Sequence, residues 1–235
     1  NADGLYMIGD SIVITVTFTE AVGVTGTPQV NLSTGSANTL INYVLGSGTT
    51  TLSFDYVVES GDSVGDLGYA DTSALILNGG SIKDVAGNDA TLDFTTPGAD
   101  GSLAANKTLV IDGVLAVVNA VSSSSSDGTY KIGDTLNIAI TFNESVFTTG
   151  VPQLTLETGD ADAVVDYSIG SGSTTLNFSY IVFEGQSTND LDYTTTNSLV
   201  LNGGKIKDAA GNDVILTLPE PASTYSLSDS VDLNI

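Results

Sequence analysis

At 235 residues the chain is long enough for one large or two modest domains, and with 41% hydrophobic residues it has the apolar material for packed cores rather than disorder. Its 28 acidic residues stand against five Lys and no Arg, a formal net charge of −23; this repels phosphate backbones and anionic bilayers and makes divalent cations the first partners to consider. Cys and His are both absent, which excludes disulfides, thiol chemistry, the usual zinc ligand and the commonest general base.

In chain order, the opening at Asn1 shows no signal peptide and reads as an excised fragment. Next comes SIVITVTF, in which Ile12, Ile14, Val16 and Phe18 share one face: a half-buried antiparallel strand. Pro28 opens PQVNL, a short strand, and LINYVL follows. After the glycine-rich GSGTT turn, Leu52, Phe54, Tyr56 and Val58 form the longest inward row, the expected core. SALIL precedes the LNGGSIKDVAGND stretch at 77–89, and TLVID closes this half. No segment carries a helix signal, and no apolar run approaches the roughly 18 residues of a membrane span.

The order then repeats. Tyr6 matches Tyr130, 124 residues on, and this offset runs ungapped to Asn88 and Asn212 with about half the paired positions identical. Leu136, Ile138, Ile140 and Phe142 restate the first strand, Leu176, Phe178, Tyr180 and Val182 restate the inward row, and LNGGKIKDAAGND restates the turn. The chain stops where the repeat would end. Short strands between Gly, Asn and Asp turns predict an all-β protein of two tandem Ig-like antiparallel β-sandwiches, end to end, divided as 1–112 and 113–235.

VLAVVNAV at 114–121 and five serines at 122–126 precede the second copy and have no counterpart before the first. Either they give module 2 its first strand, so that module 1 lacks one and keeps an open edge for strand addition and dimer formation, or they end module 1 with a serine linker. The first is favoured, since IDG reads as a junction.

DGTYKIGDTLNIAITFNESV, TGVPQLTLETG, SGSTTLNFSYIV and LNGGKIKDAAGN, with the matching YMIGDSIVITVTFTEAV, TGTPQVNLSTG and DVAGND, resemble the tandem Ig-like repeats of very large bacterial surface and secreted adhesins. The resemblance spans nearly the whole chain in two passes. It implies a cell-surface or extracellular extender that holds a terminal binding module outward, stiffened by Ca²⁺. The implied partners are neighbouring repeats of the parent chain, with any host, surface or glycan ligand met by other modules.

Ca²⁺ takes six to eight oxygen ligands, and no EF-hand or glycine-rich calcium repeat occurs. The candidate ligands are Asp84, Asn88 and Asp89 with Asp208, Asn212 and Asp213, in loops that equally read as plain turns. Sorting the loops by pole adds an interdomain site drawing on Asp112, Glu144 and carboxylates of a facing loop such as Asp10 and Asp66. Tyr6 and Tyr130 are expected to anchor the YxxGD turns. No triad, P-loop or GxSxG is present, so the chain is not expected to be an enzyme. The alternative function is a carbohydrate- or protein-binding β-sandwich that mediates adhesion directly.

Overall fold

The alternation of apolar and polar residues is realised as strands along most of the chain in the computed structural model, which describes Asn1–Ile235. Two units emerge, Asn1–Val114 and Leu115–Ile235, each built of curled, mainly antiparallel sheets. Unit 1 comprises β1 (Gly4–Met7), β2 (Ser11–Thr25), β3 (Gln29–Ser33), β4 (Asn38–Leu45), β5 (Thr49–Val57), β6 (Ser63–Val64), β7 (Gly68–Tyr69), β8 (Leu75–Ile76), β9 (Ser81–Asp84), α1 (Leu103–Asn106) and β10 (Leu109–Asp112). Unit 2 comprises β11 (Val118–Ser123), β12 (Gly128–Thr129), β13 (Thr135–Thr149), β14 (Gln153–Glu157), β15 (Ala163–Ile169), β16 (Ser173–Ile181), β17 (Asp192–Tyr193), β18 (Leu199–Val200), β19 (Lys205–Lys207), α2 (Leu227–Ser230) and β20 (Leu233–Asn234).

The long strands β2 and β13 organise the units. Up to Thr17, β2 pairs with β5; after a register shift it pairs from Val22 onward with β9. β13 likewise passes from β16 to β19 across a shift between Thr141 and Val146. Such an irregularity bends a strand and ends one pairing, so one strand serves two ladders and curls the sheet. The alternation that predicts a strand ends at Phe18 and Phe142 because the bulge breaks it; the strands in fact run on to Thr25 and Thr149.

Inside the curl, Leu52, Phe54 and Tyr56 of unit 1 and Leu176, Phe178 and Tyr180 of unit 2 are buried, as the inward rows predict. Each such side chain contributes roughly 1.5–3 kcal/mol by leaving water. Tyr43 meets Phe54 edge-on at 6.1 Å, and Tyr167 meets Phe178 at 6.2 Å. The LNGG bend is a primed turn: Asn78 and Gly79 take φ of 47° and 75°, and the Gly80 N–H donates to Leu77 O at 2.8 Å. Gly80 then passes so near β2 that an added Cβ would lie 2.2 Å from Thr25 O. The Tyr6 and Tyr130 hydroxyls donate back to Ala2 O and Ser126 O, both at 2.6 Å, tying down the segments ahead of them. The YxxGD turns themselves are closed by Asp10 N–H to Met7 O at 3.0 Å and Asp134 N–H to Lys131 O at 2.9 Å.

Two features depart from the expectation. Pairing is not antiparallel throughout, since β10 runs parallel to β1, and β20 parallel to β12. Each unit also holds one helical turn, capped by Ser102 or Ser226, whose hydroxyl accepts from the Ala105 or Asp229 N–H. A single turn is too short to carry a 3.6-residue apolar period, so only its capping serine marks it in sequence.

Strand β11 pairs antiparallel with β13 from Val118 opposite Phe142 to Ser123 opposite Ile138. It joins Val121 to the unit 2 core, as the preceding Ala116 also does. In unit 1 no strand lies on the corresponding side of β2. There the Asn1 side chain bonds the strand instead, donating to Ser11 O at 3.0 Å and accepting from the Val13 N–H at 2.9 Å.

Candidate functional site

The DxAGN turns follow β9 and β19, and the same bonds form both. Asp208 Oδ1 accepts the Gly211 and Asn212 N–H groups at 2.8 and 2.9 Å, and Oδ2 accepts Asn212 Nδ2 at 2.8 Å. Asp84 accepts the Asn88 N–H and Nδ2 at 2.8 and 2.7 Å. The Asn88 side chain, helped by its backbone N–H, holds the Asp84 carboxyl below the usual aspartate value. The outermost carboxylates are engaged by lysines: Asp89 pairs with Lys83, and Asp213 with Lys207 at 2.8 Å. The Lys207 ammonium, by hydrogen bond first and charge second, lowers the Asp213 pKa. Turn formation thus accounts for most of the oxygen-rich pattern.

The two turns differ in their surroundings. Asp208 is 3% exposed and Asn212 5%, whereas Asp84 is half-buried and Asn88 open to solvent. Glu144 sits on the β13 bulge, and the ladder pairing Phe147 with Lys207 carries that bulge to the start of the unit 2 turn. Ligand oxygens of Glu144 and Asp208 consequently lie within 4.8 Å of each other. The chain at Ala116 and Val117 is pinned over this corner: the Val117 N–H donates to Asn143 Oδ1 at 2.7 Å, and the Ile215 N–H to Ala116 O at 2.9 Å.

Two carboxylates this close, one of them buried, repel strongly in a low dielectric, and a cation offsets that repulsion. The donors are all oxygen, and His and Cys are absent from the whole chain. The set therefore fits a hard cation such as Ca²⁺ or Mg²⁺ rather than zinc or copper. Glu144 was legible as a candidate through its turn and Asp208 through its loop; that they share a corner follows only from the β13–β19 register.

The other expected ligands serve backbone groups. Asp10 Oδ2 accepts the Met7 N–H at 3.0 Å within the YxxGD turn. Asp66 Oδ1 accepts the Leu109 N–H at 3.2 Å. Asp112 ends β10, and its Oδ1 accepts the Val114 N–H at 3.2 Å. No protein-family model matches the chain, and no curated protein matches it significantly.

Proposed function

We propose that the chain is a structural segment of a large bacterial surface or secreted adhesin: two tandem Ig-like β-sandwich modules that act as a non-catalytic, extracellular spacer stiffened by Ca²⁺. Recurrence carries this reading. The two units share the partner-switching long strand, the LNGG turn and the DxAGN turn, which suits a module multiplied for length rather than a single specialised site. The motif resemblance to adhesin repeats supports it further, as does the −23 charge that a bound cation would relieve. Neighbouring repeats of the parent chain are the partners this role requires.

Glu144 and Asp208, both of unit 2, are the proposed ligands. Bound there, the cation supplies charge neutralisation and a fixed point for the start of unit 2. Thermal unfolding with millimolar Ca²⁺ against excess chelator, with Mg²⁺ as control, tests the reading. A free ion at about 100 times its Kd adds roughly 2.7 kcal/mol to the native state. A rise in Tm specific to Ca²⁺ and lost in Glu144→Gln is expected; identical melts in Ca²⁺ and chelator would remove Ca²⁺ from the proposal.

A further inference from the structure

β15 belongs to two ladders in turn. From Ala163 to Asp166 it pairs with β14, and only from Tyr167, opposite Phe178, does it pair with β16. β16 meanwhile stays on β13 as far as Ile181, opposite Thr135. The two strands therefore diverge, and a groove of about 420 Å³ opens between them. All four strands that shape it are present in unit 2, so the divergence itself makes the opening. Its walls take consecutive residues of each strand, 163–166 of β15 and 179–181 of β16. Neighbouring residues of a strand point to opposite faces, so a wall of consecutive residues is a strand edge, and the groove passes through the plane of the sheet.

Both edges offer backbone groups. The Val182 N–H donates to Asp134 O, so Val182 faces β13, and the N–H and C=O of Ile181 face the other way, toward the groove. On β14 the Thr155 N–H donates to Ser198 O, and its C=O accepts from the Thr194 N–H, both on the side away from β15. Its neighbours Leu154 and Leu156 therefore face β15, opposite Val165 and Ala163, which leaves the N–H and C=O of Val164 turned into the groove. On the inner side Val165 and Tyr180 are buried, whereas Val164 and Ile181 are exposed at the mouth. The charged residues of the lining, Asp162 and Asp166, are both acidic and both exposed.

We infer that this groove is a docking site for an extended segment of another polypeptide in which basic and apolar residues alternate. Entering edge-on, the segment bonds Ile181 and Val164 through its backbone. Its apolar side chains turn inward against Val165 and Tyr180, and its Lys or Arg side chains turn outward beside Asp162 and Asp166. A second copy does not supply this segment. The one place where the chain's own lysines alternate with an apolar residue is Lys205–Lys207, which is already paired with β13 and holds Ile206 at 2% exposure. Two chains of net charge −23 also repel each other.

The test uses the full chain, isotope-labelled, with the synthetic peptide acetyl-KVKVK-amide as probe and acetyl-KGKGK-amide as its charge-matched control. Amide NMR at low salt should show saturable shifts at Val164 and Ile181 while the chain stays monomeric. The control should bind at least about tenfold more weakly, because it lacks the inward apolar side chains. Asp162→Lys changes an exposed side chain and leaves the core alone; it should weaken KVKVK by about fivefold. Absence of shifts at the groove overturns the proposal, as does an unchanged affinity in Asp162→Lys. Equal binding of the two peptides, with shifts spread over the acidic loops of both units, overturns it as well, since that is bulk attraction to the net charge. So does dimerisation that shifts the same amides without peptide, meaning that a second copy fills the groove.

Discussion

Separate Phe142→Ala and Phe18→Ala variants test whether cover by β11 accounts for the difference between the units. The two rings hold equivalent places on β13 and β2, yet Phe142, opposite Val118, is 2% exposed and Phe18 is only partly buried. Truncating a fully buried Phe costs roughly 3–5 kcal/mol, transfer and cavity terms together. A ring still partly in water has less to lose and leaves no closed cavity, so Phe18→Ala should cost about 1–2 kcal/mol. At roughly 4 °C per kcal/mol for a unit of this size, the unit 2 midpoint should fall by about 12–20 °C and that of unit 1 by about 4–8 °C. Differential scanning calorimetry on each variant measures both, provided the two transitions are assigned by which one moves. Equal losses would show that β11 does not set the burial of this position and would refute the reasoning.

Other substitutions report on the turns and the carboxylates. Gly79→Ala meets no neighbour and should cost only left-handed strain, about 1–2 kcal/mol. Gly80→Ala drives a methyl into Thr25 O and should cost about 3 kcal/mol or more, read as a shifted denaturant midpoint at constant slope; equal costs would contradict the close approach. In chelator, Glu144→Gln should melt no lower than the unaltered chain, because one of two crowded charges is gone; a lower melt would mean that the Glu144 charge stabilises the fold without a cation. Asp84 and Asp213 are held below the usual aspartate value of about 3.8, so their stability is present above that value and lost as pH falls through their folded values. Asp190, raised first by burial, acts oppositely, contributing below the unfolded value and losing that contribution as pH rises through its folded one. Acid unfolding of Asp84→Ala and Asp213→Ala should therefore show a shallower loss of stability than the unaltered chain; an unchanged acid limb would remove these carboxylates from the account.

Local pattern carried the strands whose faces differ. Ile12 and Ile14, and Leu176, Phe178 and Tyr180, were legible because one side of each strand is apolar and the other polar. The continuation of β2 past Phe18 was not, because Thr19, Glu20 and Ala21 sit on a bulge where alternation has no meaning. SALIL and NSLVL shrank to Leu75–Ile76 and Leu199–Val200, since only two residues of each find a partner on β3 or β14. For the candidate site, sequence named all the carboxylates without ranking them. Asp89 and Asp213 differ from Asp208 by burial and by a nearby lysine, and both follow from ladder register rather than from spacing along the chain.

The parallel closing pair of unit 1 has a mechanical consequence. β1 lies near one end of the unit's sequence and β10 near the other, and they run side by side over four residue pairs, Gly4 with Leu109 through Met7 with Asp112. Tension applied between the ends of the unit pulls these strands in opposite senses along their length, so the bonds between them are loaded together in shear instead of opening one after another like a zip. The corresponding closure of unit 2 pairs only Gly128 with Leu233 and Thr129 with Asn234. There, tension entering at Leu115 meets β11 and its ladder to β13 before it reaches β12, so the short parallel pair is not the first set of bonds to be loaded.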